Sequence, residues 1–204
     1  MDTPTKTILI TGTDLAGKTT LVNGLVVGLK DRGYDIVANK FDLQKTQLMT
    51  SARHLMDENW EERKLVINGL LALSFLVDGI TYQPPQNIIF IQDSYVERTI
   101  AYCYTYNIPH VERILDLFRE KLFHFDINIY LTADIETRRK RLLAMGNNNF
   151  LDNLVIRESL KSECMDKKLE SIAQNEKNYL KIDTTPLSIS EVRDIALKYI
   201  EALL

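Results

Sequence analysis

Residues 12–20 have the sequence Gly-Thr-Asp-Leu-Ala-Gly-Lys-Thr-Thr, which matches the spacing GxxxxGKT. The glycines let the backbone turn tightly, so successive N–H groups point into one concavity that binds phosphate oxygens. Lys18 adds a mobile positive charge, and Thr19 offers a hydroxyl that suits Mg²⁺. We therefore expect a cradle for the phosphates of a nucleoside triphosphate, formed by Gly12, Thr13, Leu15, Ala16, Gly17, Lys18, Thr19 and Thr20.

Asp93 is a second residue suited to chemistry, because it directly follows the apolar run Asn87 to Gln92. Ligands gather at the carboxyl ends of parallel strands, where a carboxylate can hold Mg²⁺ through water or steer an attacking oxygen. Asp93 could instead cap the helix that follows. We favour the catalytic and metal-binding role, since a strand-end carboxylate beside a phosphate-binding loop has few structural reasons to be there.

Short apolar runs alternate along the chain with longer helical patterns. Most of the runs are apolar on successive residues, as in strands that are buried on both faces. The alternation is typical of parallel strands joined by helical crossovers. The predicted strands are Thr7 to Thr11, Asp35 to Phe41, Asn87 to Gln92, Asp126 to Leu131 and Tyr179 to Ile182.

The segments between these strands predict helices. The segment Glu61 to Tyr82 is apolar on nearly every side, so we expect it to be central or to form an oligomer interface. Together the elements predict an α/β fold with three layers and a five-stranded parallel sheet, in a single P-loop domain over residues 1–204. The other predicted helices are Lys18 to Arg32, ended by Gly33, Leu154 to Asn175, and Ile189 to Leu203.

Composition narrows the classes of partner. A net charge of -3 provides no basic excess for a nucleic-acid backbone, so we expect no nucleic-acid partner. The two cysteines, Cys103 and Cys164, lack metal-ligand spacing and are expected to be ordinary thiols. We identify no signal peptide and no apolar run long enough to span a bilayer, so we expect no membrane association and a cytoplasmic location.

Residues 8–20 resemble the start of thymidylate kinases, whose phosphate-binding loop has the pattern GxDxxGKTT. In that family the carboxylate in the loop holds the sugar 3′-hydroxyl of the acceptor. The resemblance therefore implies that Asp14 binds the sugar of a substrate. The alternative is an Asx turn that stabilises the loop.

Two further stretches carry the resemblance through most of the chain. Residues 93–102 are similar to the family pattern DR(Y/H)xxSxxAY, with Asp93, Tyr95, Ala101 and Tyr102 at matching positions. Residues 182–192 resemble the family's IDAS…EEV, where the loop passes the adenine ring, which implies a donor-binding role for Thr184. Phe41 and Tyr102 also match family positions and are candidates for contacts to the acceptor.

The sequence departs from the family at the arginines that bind the acceptor. In the element FPxRxTxxG the arginine is Gln44, and in the DRY element it is Ser94. The arginine that reads the thymine base is also missing near Phe75. Arg98, which stands where the family usually has serine, could restore a lost contact. We therefore include Gln44 and Arg98 among the candidate acceptor residues.

The donor side lacks an arginine in the loop, although phosphoryl transfer needs a cation over the migrating group. The short lid expected at residues 146–153 has no basic residue, and the family's RxxxR pair survives only as Arg141 with Met145. We rank Arg141 first for the catalytic cation. Arg138 and Arg139 lie on the same predicted helix, where a solvated helical face and a functional role both stay open for each of them. Arg157, just past the lid, is a further candidate.

The resemblance implies a kinase that uses ATP and Mg²⁺, with Lys18, Asp93 and Arg141 as catalytic residues and a nucleoside monophosphate as acceptor. One alternative is a deoxynucleoside kinase, in which Asp42 would act as general base. An acceptor with a modified base, or a nucleotide-binding protein without transfer activity, is also compatible with the missing arginines. The apolar segment Glu61 to Tyr82 predicts a homodimer, as the family forms through comparable helices.

Overall fold

The computed structural model describes residues 5–39, 43, 45–145 and 158–204. The predicted α/β class is confirmed, since strands and helices alternate along the chain. The strands are β1 (Lys6–Gly12), β2 (Ile36–Asn39), β3 (Ile89–Asp93), β4 (Ile127–Thr132) and β5 (Tyr179–Asp183). The helices are α1 (Lys18–Lys30), α2 (Gln47–Thr81), α3 (Val96–Thr105), α4 (Pro109–Phe118), α5 (Ile135–Met145), α6 (Ser159–Ala173) and α7 (Ile189–Glu201), with a short 3₁₀ turn at Arg119–Lys121.

The five strands form one parallel sheet in the order β2-β3-β1-β4-β5. β1 lies at the centre, where Ile10 is in register with Asp93 of β3 and Gly12 with Leu131 of β4. Because the strands are parallel, their carboxyl ends meet at one edge of the sheet. The phosphate-binding loop after β1 and the carboxylate that ends β3 therefore lie side by side.

Both faces of the sheet are covered by helices. Ile8 and Ile10 of β1 pack on one side in a cluster with residues of α1 and α7. Leu9 points to the other side, where the cluster contains residues of α2, α3 and α4. Burial on both faces explains why the strands are apolar on successive residues rather than on alternate ones. The loop between β1 and α1 therefore lies on a sheet that is packed on both faces.

Helix α2 begins at Gln47, earlier than the predicted start at Glu61. Met49 and Ala52 in the added part are buried against the rest of the chain, and this tertiary packing extends the helix. Helix α6 spans Ser159–Ala173 within the predicted Leu154 to Asn175, whose first four residues lie outside the described part.

Helix α2 also contains Glu62–Thr81, which is long and apolar enough to cross a membrane by length and composition. The expectation that no apolar run reaches this length is therefore wrong for α2. About 39% of this stretch is buried inside the protein, where Phe75 and Leu76 pack in the core. Core helices of globular proteins satisfy the same criterion, and α2 packs as such a helix on one of its faces.

Candidate active site

The phosphate-binding loop joins β1 to α1 and depends on its glycines. Gly12 has a φ of 140°, and a Cβ atom there would lie 2.3 Å from the Leu131 carbonyl oxygen of the neighbouring strand. Gly17, with a φ of 96°, precedes α1 in a left-handed conformation. These backbone positions favour glycine. They let the loop turn directly into α1, so that the amino end of the helix dipole lies at the phosphate-binding loop.

Lys18 folds back over this loop. Its Nζ donates a hydrogen bond to the Thr13 carbonyl oxygen over 2.6 Å and lies 3.9 Å from Asp14 Oδ1. The side chain is about nine-tenths buried, so its charge acts in a medium of low polarity. A lysine in this place provides a point charge for phosphate oxygens.

Thr19 and Asp93, the two residues predicted to hold Mg²⁺, contact each other. The Thr19 hydroxyl donates to Asp93 Oδ2 over 2.9 Å, and the Ser94 hydroxyl donates to Asp93 Oδ1 over 3.2 Å. Both partners are hard oxygen ligands of the kind that Mg²⁺ takes. Across the described residues, no group of three or more His, Cys, Asp or Glu side chains could hold a metal ion. Thr19 and Asp93 supply two oxygen ligands, and an ion held there would complete its shell with phosphate oxygens and water.

Three predicted acceptor residues also come together. Arg98 of α3 forms an ion pair with Asp14 of the loop, and both side chains are largely buried. The Arg98 guanidinium carbon lies 5.5 Å from the centre of the Tyr102 ring, which stacks on Tyr106. Asp14, Arg98 and Tyr102 therefore form one patch beside the phosphate-binding loop.

The Arg141 guanidinium donates hydrogen bonds to the phosphate-binding loop and to Thr184. Its Nη1 donates to the Leu15 carbonyl oxygen over 2.8 Å and to the Thr184 hydroxyl over 3.0 Å, while Nη2 donates to the Thr184 carbonyl oxygen over 3.0 Å. Burial lowers the pKa of Arg141. Two residues predicted for the donor side, Arg141 and Thr184, thus lie together against the loop.

Of the two alternatives that the sequence leaves open for Arg138, the solvated helical face is wrong. Its side chain is only 3% exposed and donates to the Thr13 hydroxyl over 3.1 Å. It also contacts Ser162 and Asp166 of α6. The signal in the sequence is its spacing from Leu142, since the two residues are the buried positions of α5 and lie one helical turn apart.

Several predicted residues fall outside the described part of the chain. These are the acceptor candidates Phe41, Asp42 and Gln44, the lid at residues 146–153, and Arg157.

Comparison with known proteins places the chain in a family. The family model for thymidylate kinase matches residues 10–195, from β1 to α7. The chain belongs to the thymidylate kinase family. It is therefore a kinase acting on a nucleoside or a nucleotide, as the loop and its resemblance predicted. No relative was found among curated proteins.

The fold of this kinase is also found in a solved structure of a deoxyadenosine kinase from M. mycoides, with product dCMP and a flexible dCDP bound. The TM-score is 0.68, and the match covers 97% of this chain and 100% of that chain at 17% sequence identity. At such low identity the likeness establishes the fold alone. It confirms the three-layer P-loop architecture predicted from the sequence.

Proposed function

We propose that this kinase transfers the γ-phosphoryl group of ATP to a nucleoside monophosphate, with Mg²⁺ bound beside Thr19 and Asp93. The observation that supports this most is the ion pair between Asp14 and Arg98 next to the phosphate-binding loop. A carboxylate there can accept a hydrogen bond from a sugar hydroxyl. A guanidinium beside it can bind the phosphate of the same acceptor through two parallel hydrogen bonds.

The residues of the loop would hold the donor. Lys18 and the N–H groups at the start of α1 would bind the β- and γ-phosphates, and Thr184 with Arg141 would border the nucleoside end. The metal ion would neutralise phosphate charge. Transfer breaks the bond between the γ-phosphorus and the bridging oxygen and forms a bond to an acceptor phosphate oxygen. ADP leaves with the electron pair, and positioning supplies most of the catalysis.

A nucleoside is the second candidate acceptor. Ser94 stands where the family pattern has arginine, and its hydroxyl contacts Asp93 instead of supplying a cation. A nucleoside carries no phosphate that would need such a cation. The sugar hydroxyl of a nucleoside must lose its proton to accept the phosphoryl group, and Asp42 is the candidate general base for that proton.

A panel of acceptors separates these functions. The protein is incubated with Mg-ATP and each common nucleoside or nucleoside monophosphate, and phosphorylated acceptor is detected by its mass. We expect at least one nucleoside diphosphate to form. Phosphorylation of nucleosides but not of monophosphates would establish the second candidate instead. Binding of ATP without any phosphorylated product would contradict both.

A further inference from the structure

Arg138 is almost completely buried, although its helix is rich in charge. The side chain is 3% exposed, and its partner Asp166 is 19% exposed. A buried guanidinium is costly unless its donors are satisfied, and here one end of it bonds three side chains. The bonds run to the Thr13 hydroxyl over 3.1 Å, the Ser162 hydroxyl over 3.0 Å and the Asp166 carboxylate over 2.6 Å.

These bonds join three separate parts of the chain. Arg138 belongs to α5, Ser162 and Asp166 belong to α6, and Thr13 is the second residue of the phosphate-binding loop. Thr13 is held from two sides, because its hydroxyl accepts from Arg138 and its carbonyl oxygen accepts from Lys18 over 2.6 Å. The buried Arg138 side chain therefore links the loop to α6.

The electrostatics agree with this placement. Burial raises the pKa of Asp166, while the Arg138 guanidinium, the Thr13 hydroxyl and the Lys18 charge oppose that rise. The Arg138 Nε atom is buried and has no hydrogen-bond partner among the described residues, so the bonds to Thr13, Ser162 and Asp166 are the ones that satisfy this guanidinium.

We propose that Arg138 is a positioning residue for the phosphate-binding loop, which fixes Thr13 to α6 and so holds the loop in the shape that receives phosphates. If the Arg138–Asp166 ion pair served only to stabilise the fold, the bond from Arg138 to the Thr13 hydroxyl would not be needed. A buried ion pair can often be replaced by apolar side chains without loss of stability. Preorganised N–H groups, in contrast, bind phosphate well only when the loop is held in place. This inference rests on the proposed binding of nucleotide phosphates at the loop.

The affinity for Mg-ADP, measured by titration calorimetry, tests the inference with three variants. Thr13→Val keeps the shape and backbone of the loop residue but removes the hydroxyl. Arg138→Met with Asp166→Leu replaces the buried pair by apolar side chains. The third variant combines all three substitutions. Arg139→Met, at the neighbouring exposed arginine of α5, is the matched control.

We expect Thr13→Val and the Arg138→Met/Asp166→Leu variant each to weaken Mg-ADP binding about tenfold, since a hydrogen bond to a charged group is lost. Because Arg138 acts through Thr13, the triple variant should bind no more weakly than the double one. Thermal unfolding should show the double variant close to the wild type in stability. The control should bind as the wild type does.

Wild-type affinity in Thr13→Val, or in the double variant, would overturn the inference, as would a triple variant in which the two losses multiply. If the double variant does not fold, Arg138→Lys decides in its place, because the donors of an ammonium radiate from one nitrogen and cannot reproduce the two-nitrogen fork that reaches Thr13, Ser162 and Asp166; wild-type affinity there would overturn the inference. A wild-type protein that binds Mg-ADP but phosphorylates no acceptor would contradict only the proposed function. A wild-type protein that does not bind Mg-ADP would contradict both.

Discussion

Arg98 forms an ion pair with Asp14, so the loop that would bind the donor phosphates also anchors the residue that would bind the acceptor. Arg98 stands four residues beyond Ser94, the position at which the family pattern carries its arginine. The chain thus places a guanidinium beside the loop from the first turn of α3 rather than from the position just after β3.

This relationship predicts the effect of Arg98→Met. The loss of a guanidinium that binds acceptor phosphate should raise the KM for the acceptor about tenfold or more, with little change in the KM for ATP. Steady-state kinetics with each substrate varied in turn measures both values. Arg113→Met, at an exposed arginine of α4, serves as control and should leave both unchanged. An increase confined to the KM for ATP would contradict the acceptor role.

Thr19 and Asp93 predict a dependence on Mg²⁺. Asp93→Asn and Thr19→Val should each raise the Mg²⁺ concentration needed for half-maximal activity and lower kcat roughly a hundredfold, because the metal site loses a ligand or its water contact. Titration of activity with MgCl₂ gives both quantities. ADP binding in the presence of EDTA should be unaffected. Unchanged Mg²⁺ dependence in Asp93→Asn would place the metal elsewhere.

Gly12 predicts a loss of stability on substitution. In Gly12→Ala the new Cβ would meet the Leu131 carbonyl oxygen at 2.3 Å, and the residue would keep an unfavourable φ of 140°. The free energy of unfolding should fall by at least about 2 kcal/mol, as measured by urea denaturation. Gly69→Ala is the matched control, because nothing lies within 4 Å of its Cβ position in α2. That variant should be more stable by up to about 1 kcal/mol, and equal effects at the two sites would contradict the packing.

Glu97 predicts a pH dependence of stability. Burial raises the pKa of this carboxyl to about 7, so the native protein holds a proton that the unfolded chain releases above its ordinary pKa. The native state binds more protons in that range, and stability therefore falls as pH rises from about 4.5 to 7. Glu97→Gln should show a smaller decrease in Tm between pH 5 and pH 8 than the wild type. Parallel curves for the two proteins would contradict a buried neutral carboxyl.

The exposed apolar stripe on α2 predicts a homodimer. Val66, Leu73, Val77 and Ile80 follow one helical face and are each about half exposed. Leu73→Lys should convert dimers to monomers in light scattering, whereas Leu117→Lys on α4, at another exposed leucine, should not. A wild-type protein that is monomeric at micromolar concentration would exclude this interface.

The features that were predicted correctly are those that local chemistry determines. Gly12, Gly17 and Lys18 belong to a loop whose spacing alone specifies a backbone shape. The strands are recognisable because burial on both faces leaves a continuous apolar run. The burial of Arg138 depends instead on α6, which lies distant in sequence, and no local pattern marks Asp166 as its partner. The early start of α2 was missed because the packing of Met49 and Ala52 is likewise tertiary.

The most direct test of the proposed function follows the γ-phosphate itself. The wild-type protein is incubated with Mg-ATP that carries an oxygen-isotope label in the γ-phosphate, together with the best monophosphate acceptor or its nucleoside, and Lys18→Ala is run beside it. We predict label in a nucleoside diphosphate, in equal amount to the ADP released, and none with Lys18→Ala. Label found only in inorganic phosphate, or only in a monophosphate made from the nucleoside, would contradict a nucleoside monophosphate kinase.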